Sequence, residues 1–245
     1  MKSQIKKNKT SAMPKEILEE LRQASSFSFS HKSYVSGIKI FEKYEKKYNF
    51  PVDQLYKLGM LYDHLAIIEI KEKKELSANE QRKLSDKYLK LAENIYKRII
   101  KKSPKYLHAF YGLGRIANAR EEYKKTLHYW QKAFDLMLKQ PKKERGALAI
   151  GGVYEKMGNL KKAEECYKKE RISVRKDDFG TIFNLSLFYE RTNQIKKAKK
   201  ILPTLEKIFN KEFKKDIYRG LNLKASPWIK SIKEHIIKIK KAPSA

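Results

Sequence analysis

Five histidines, one cysteine and several acidic pairs are the side chains of this chain best equipped for chemistry. His31, His64, His108, His128 and His235 form neither an HExxH helix nor an i, i+4 pair, the spacings that turn two imidazoles toward one metal ion. Cys166 stands alone, so an internal disulfide, a zinc cluster and a CxxC redox pair are all excluded, and no histidine lies near it in a nucleophile pattern. Glu164-Glu165 sits among lysines, where solvated i, i+4 ion pairs are the ordinary use of such residues. There is no GxxxxGK[ST] loop, and the "GLGR" around Gly112 and Gly114 falls inside a helical pattern rather than after a strand. The set predicts no catalysis, no metal, no cofactor and no small-molecule substrate. What remains is a binding surface.

Charge narrows the partners of that surface only by sign. Lysine and arginine number 57 against 28 aspartates and glutamates, a net charge of +29 over 245 residues. A field of that size attracts RNA, DNA, an anionic membrane face or an acidic protein. The same excess also fits an AT-rich genome writing lysine onto solvated faces, and lysine is a hydrated point charge that lacks the bidentate phosphate geometry of arginine. No apolar segment of about 7–15 residues follows the basic start "MKSQIKKNKTSAMP", and no apolar run approaches the roughly 18 residues of a membrane span. With one cysteine, these features predict a soluble protein of the reducing cytoplasm.

The elements that must position any site are helices. Apolar residues recur with helical period, and strand-like alternation never persists. Pro51, Pro104 and Pro141 each precede a new amphipathic run, where proline suits a first turn. Between them one pattern returns: Leu58-Gly59 with Tyr62, Leu113-Gly114 with Ala117, Ile150-Gly151 with Tyr154, and Leu185-Ser186 with Tyr189. Each is followed by a second helix with a small residue and a large one four later, as Ala92/Tyr96, Thr126/Trp130, Ala163/Tyr167 and Ala198/Leu202. Gly114 to Gly151 is 37 residues and Gly151 to Ser186 is 35. Glycine costs a helix about 1 kcal/mol relative to alanine. It is expected here because paired helices must approach to about 8–10 Å, and a missing side chain permits that.

This pattern resembles the tetratricopeptide repeat (TPR), a helix–turn–helix unit of about 34 residues with W-x₂-L-G-x₂-Y…A-x₃-F…P spacing. "ALAIGGVYEKMGNLKKAEECYKK" matches best, with Gly158 in the turn, and the resemblance covers about 34–210. It implies an all-α, right-handed TPR-like solenoid with an extra N-terminal helix and a C-terminal capping helix. The expected organisation is a basic disordered tail over 1–13 and an N-terminal helical half-unit over 14–51. A first repeat with an elongated hairpin covers 52–104, a second repeat 105–141, a third 142–177 and a degenerate fourth 178–210. A capping helix and tail follow over 211–245. In this family the first helix of each unit lines a groove. The matching positions are Tyr56, Met60 and Asp63; His108, Tyr111, Arg115 and Asn118; Arg145, with Leu148 and Glu155; and Phe183, Leu187, Glu190 and Arg191. Aromatics among charges of both signs suit a peptide or helix of a partner protein. The clamp by which some members hold chaperone tails would fall on Tyr111, Arg115, Ala149, Gly180 and Asn184, and is largely missing.

Two departures from the repeat, and the C-terminal segment, carry expectations of their own. Gly59 to Gly114 is 55 residues, and Ser77–Glu80 reads as a capping box, so two long helices, about 52–75 and 78–102, should project near 63–88. Ile67, Ile68, Ile70, Leu76, Leu84 and Leu89 are placed to zip them. Pro203 should kink or restart the last second helix. "SPWIKSIKEHIIKIKK" puts Trp228, Ile229, Ile232, Ile236 and Ile239 on one face and lysines on the other. It suits a terminal cap, a membrane-surface helix or a helix docked in a partner's groove.

Overall fold

The computed structural model describes residues 13–138, 147–173, 179–214 and 227–243. These residues are helical throughout, joined by short turns. The chain divides into two compact units, Met1–Leu136 and Met137–Ala245, each with its own apolar cluster. This is the behaviour of stacked repeats, in which each element packs only on its neighbours.

In the first unit α1 (Lys15–His31) pairs with α2 (Tyr34–Glu45). Next come α3 (Val52–His64), a π-helical turn over Leu65–Glu69, the short α4 (Ile70–Glu72) and the long α5 (Ala78–Lys102). The last two helices are α6 (Leu107–Ala119) and α7 (Tyr123–Leu138). The elongated hairpin is present. Ser77 Oγ accepts from the Glu80 N–H while the Glu80 carboxylate accepts from the Ser77 N–H, closing the capping box. Ile70 and Leu89 are buried in it, with Ile67, Ile68 and Leu84 packed against them.

Residues 14–51 depart from the expected half-unit, since α1 and α2 form a complete helix pair. The turn geometry shows why. Lys32 has φ 52°, and the Ser33 N–H reaches back to the Ser28 carbonyl. The same left-handed residue and six-residue bond recur at Glu121 (φ 60°, Glu122 to Ala117), Gly158 (φ 74°, Asn159 to Tyr154) and Asn193 (φ 56°, Gln194 to Tyr189). This is the glycine-type helix stop, and four hairpins are made by it. The serine-rich "ASSFSFS" in α1 hides the helix because serine is a poor helix former, yet Ser28 is buried where Gly37 of α2 comes close.

Small residues sit where large neighbours need room. A Cβ on Gly59 would stand 2.7 Å from one edge of the Tyr96 ring, and one on Gly112 would strike the other edge, so Tyr96 fills a slot between α3 and α6. A Cβ on Gly114 would overlap the Trp130 indole. Ala92, Thr126, Ala163 and Ala198 are wholly buried, and their partners Tyr96, Trp130, Tyr167 and Leu202 are buried with them.

The second unit contains α8 (Ala147–Lys156), α9 (Leu160–Ser173), α10 (Phe179–Arg191), α11 (Ile195–Lys214) and α12 (Pro227–Lys241). α11 runs as one helix through Pro203, which excludes the restart. The proline lies on the exposed side, while Leu202, Leu205, Ile208 and Phe209 anchor both halves of the helix in the core. α12 packs on α11 with Ile232, Ile236 and Ile239 buried, so its apolar stripe is spent inside the unit. Pro141, Trp228 and Ile229 belong to stretches, or to side chains, outside the described residues.

Candidate functional site

α3 and α6 lie against each other in the first unit, and α1 lies against α3. Spacings of three or four residues put Tyr56, Met60 and Asp63 on one face of α3, and His108, Tyr111, Arg115 and Asn118 on one face of α6. Two contacts join these sets. The Tyr56 ring lies 5.5 Å from that of His108, and Tyr106 meets both at 5.7 and 5.6 Å. Two turns further along both helices, Arg115 Nη2 donates to Asp63 Oδ1 at 2.9 Å. Met60, Tyr111 and Asn118 are half-buried beside them.

The two ends of this face have different chemistry. Asp63 is wholly buried, and its carboxylate is held by three groups: Arg115, the Tyr96 hydroxyl at 2.7 Å and His64 Nδ1 at 2.7 Å. A buried charge requires such company, because desolvation without partners costs several kcal/mol. Burial, then the Asp63 charge, drives the Tyr96 hydroxyl well above its ordinary pKa, which keeps it a donor. Asp63 therefore reaches a partner only through Arg115, whose side chain remains 33% exposed. The other end is aromatic. Tyr106 donates to Asp53 at 3.1 Å and packs on Tyr56 and His108. The repeat spacing marks none of Tyr96, His64, Tyr106 and Asp53 as groove residues. Tyr96 carried the one usable signal, as the large member of a small/large pair.

In the second unit the corresponding residues are engaged by the chain itself. His235 of α12 brings its ring to 5.3 Å from Phe183, with Nε2 2.8 Å from Ser186 Oγ and Nδ1 2.5 Å from Glu190 Oε2. Lys238 also pairs with Glu190. Arg191 forks onto Glu155 of α8 at 2.8 and 3.0 Å, and the Tyr167 hydroxyl donates to the same carboxylate at 2.9 Å. Leu187 and Leu148 are half-buried, and Arg145 lies outside the described residues.

Serine, imidazole and carboxylate in that order form the relay of a serine hydrolase. Here Ser186 has no exposed surface and His235 is 6% exposed, so no acyl group has room to approach. The trio instead locks α12 to α10. Burial, ahead of the opposing pull of Glu190, lowers the pKa of His235. Neutral His235 then donates through Nδ1 to Glu190 and accepts a hydrogen bond from the Ser186 hydroxyl at Nε2. Burial alone would raise Glu190, but its bonds from Lys238 and His235 outweigh that and hold it below its ordinary value.

A cleft of about 810 Å³ lies apart from these residues, between the elongated hairpin and the α6–α7 turn, with Ile67, Leu89 and Ala119 in its wall. Its rim carries four basic and four acidic side chains, which select no ligand by sign. Among the described residues no group of three His, Cys, Asp or Glu could hold a metal ion, and no helix is long and apolar enough to cross a membrane.

No family model matches the chain, and no curated protein matches it in sequence. Solved structures do. A thermophilic TPR protein of Thermus thermophilus aligns over 92% of this chain and 100% of its own, with a TM-score of 0.56 and 17% identity. The chain has the TPR fold. MamA from Desulfovibrio magneticus aligns over 84% of this chain and 99% of its own, with a TM-score of 0.54 and 16% identity. A Podospora anserina kinesin-light-chain protein with nearly identical TPR-like repeats aligns over 81% and 97%, with a TM-score of 0.58 and 13% identity. On this TPR frame α3, α6, α8 and α10 are first helices, and α5, α7, α9 and α11 are second helices.

Proposed function

We propose that this chain is a non-catalytic scaffold of the cytoplasm that holds a peptide or helix of a partner protein against the first helices α3 and α6. One observation carries the reading: Tyr56, Met60, His108 and Tyr111, all half-buried, line one strip across two touching helices, with the Tyr56 and His108 rings in contact and the Asp63–Arg115 pair at its end. Rigid aromatics give contact area at little entropic cost, and a fixed charge sets register. In the second unit, Phe183, Leu187, Glu190 and Arg191 are weaker candidates for contact, because α12 and α8 engage three of them.

The test is site-specific photocrosslinking in native cells, with the photoreactive residue placed at Met60 or His108 and, as a control, at Lys83 on the outer side of α5. One protein crosslinked from both inner positions and absent from Lys83 is the expected result. Identical crosslinking from all three positions would remove the strip as a recognition surface.

A further inference from the structure

The net charge of +29 is distributed unevenly among the helices. The first helices α3, α6, α8 and α10 hold four basic and four acidic residues among them. α11 and α12, which pack together in the second unit, hold twelve lysines against three glutamates. Nor does lysine fill every exposed position of the chain. α1 carries Glu16, Glu19 and Glu20 on its exposed turns, with Lys15 and Arg22 the basic residues of that helix.

On α11 the arrangement is a line. At about 100° per residue, Lys196, Lys200, Lys207 and Lys211 fall within about 60° of one another. All four are exposed, and they point away from the buried Ala198, Leu202, Leu205 and Phe209. From first to last they span about 22 Å at 1.5 Å per residue. No acidic residue interrupts the line. Glu206 sits off it and pairs with Lys240 at 2.6 Å. Lys233 and Lys241 stand exposed on the neighbouring α12.

We propose that this α11–α12 face docks on the phosphate backbone of duplex nucleic acid. A duplex carries about one charge per 1.7 Å of axis, so a line of ammonium groups about 22 Å long always finds phosphates in reach. Lysine serves as a point charge there, and the absence of arginine from the line suits contact that positions without reading bases. A membrane surface fits less well. α12 has buried Ile232, Ile236 and Ile239 against the core, and durable membrane attachment takes an apolar anchor besides charge. This face lies on helices other than those of the proposed protein-binding strip, so either assignment stands or falls alone.

The test uses the full chain and a labelled 20-base-pair RNA duplex of mixed sequence, titrated between 50 and 200 mM salt. Five or so phosphate contacts give a log–log slope of about −4 to −5 and a loss of several-hundred-fold across that range. Two variants of equal net charge are compared, Lys196, Lys200, Lys207 and Lys211→Gln on α11, and Lys15, Lys39, Lys74 and Lys105→Gln, four exposed lysines scattered over separate elements of the first unit. The α11 variant should lose at least about 30-fold in affinity at 50 mM and flatten the slope by about 3–4, while the scattered variant changes little. Equal losses in both would mean that net charge alone is responsible and would overturn the assignment. So would no duplex binding at 50 mM salt, or binding of the chain to phosphatidylserine vesicles but not to the duplex.

Discussion

Two alanine substitutions in helices of one chain should act in opposite directions. Gly114 and Gly152 both lie inside helices, α6 and α8, so each replacement gains about 1 kcal/mol in helix propensity. At Gly152 the new methyl meets nothing closer than the Tyr167 hydroxyl at 3.8 Å, an ordinary contact. At Gly114 it would lie well inside 3.0 Å of Trp130 Cδ1 and Nε1. Trp130 is only 8% exposed and its indole N–H donates to the Tyr111 carbonyl at 3.2 Å, so the ring cannot retreat without shifting α7 and losing that bond. Overpacking costs about 1–3 kcal/mol and the hydrogen bond about 1 kcal/mol. After the propensity gain is subtracted, Gly114→Ala should destabilise by about 1–3 kcal/mol, whereas Gly152→Ala should stabilise by about 0.5–1 kcal/mol. Native-state hydrogen exchange, resolved by helix, reads the two units separately. Protection in α6 and α7 should fall about 5- to 160-fold in the first variant, and protection in α8 and α9 should rise about two- to fivefold in the second. Unchanged or raised protection in Gly114→Ala would refute the claim that glycine is there to admit the indole.

Asp63→Ala leaves Arg115 and Tyr96 facing a buried gap and should cost about 3–5 kcal/mol in urea unfolding; Tyr96→Phe added to it should cost far less than in the parent, because their bond is already gone. Glu121→Gly should raise the urea midpoint by about 0.5–1 kcal/mol of stability, since glutamate is there in a left-handed conformation, while Gly158→Ala at the equivalent turn should lower it by about 1 kcal/mol. The folded pKa of His235 lies below its unfolded value near 6.5. The unfolded chain therefore takes up the proton first as pH falls, so stability is whole above about 6.5 and declines from there through the folded value. Unfolding midpoints of the second unit at pH 7.5 and 5.5 should show that loss, and His235→Gln should remove most of it.

Periodicity was the most informative feature of the sequence, and it spoke about pairs of neighbours. The small residues Gly114 and Gly151 meet Trp130 and Tyr167 at one offset of 16 residues, and Gly59 meets Tyr96 across 37 because the elongated hairpin intervenes, so the pairs are legible from the motif around each residue. The capping box at Ser77 was legible for a similar reason, since all its partners lie within one turn. The α1–α2 pair escaped notice because its stop residue is Lys32 and its helix is written in serine, whereas the third repeat advertises its stop with Gly158. At Pro203 the local signal points to a kink or a restart, and the restart does not occur. Its local cost is real, but apolar residues on both sides of it are held in one core.

The chain by itself determined the helix pairs of the matched repeats and the elongated hairpin, because each depends on residues a few positions apart. Only the tertiary structure decided the fate of individual polar groups. Asp63 became a buried anchor for Arg115 and Tyr96 instead of a free contact, and Glu190 was claimed by His235 and Lys238, 45 and 48 residues away. Such partners meet across separate helices, and the free energy of a charge depends on what surrounds it in space and on how much water is excluded, which no local spacing specifies.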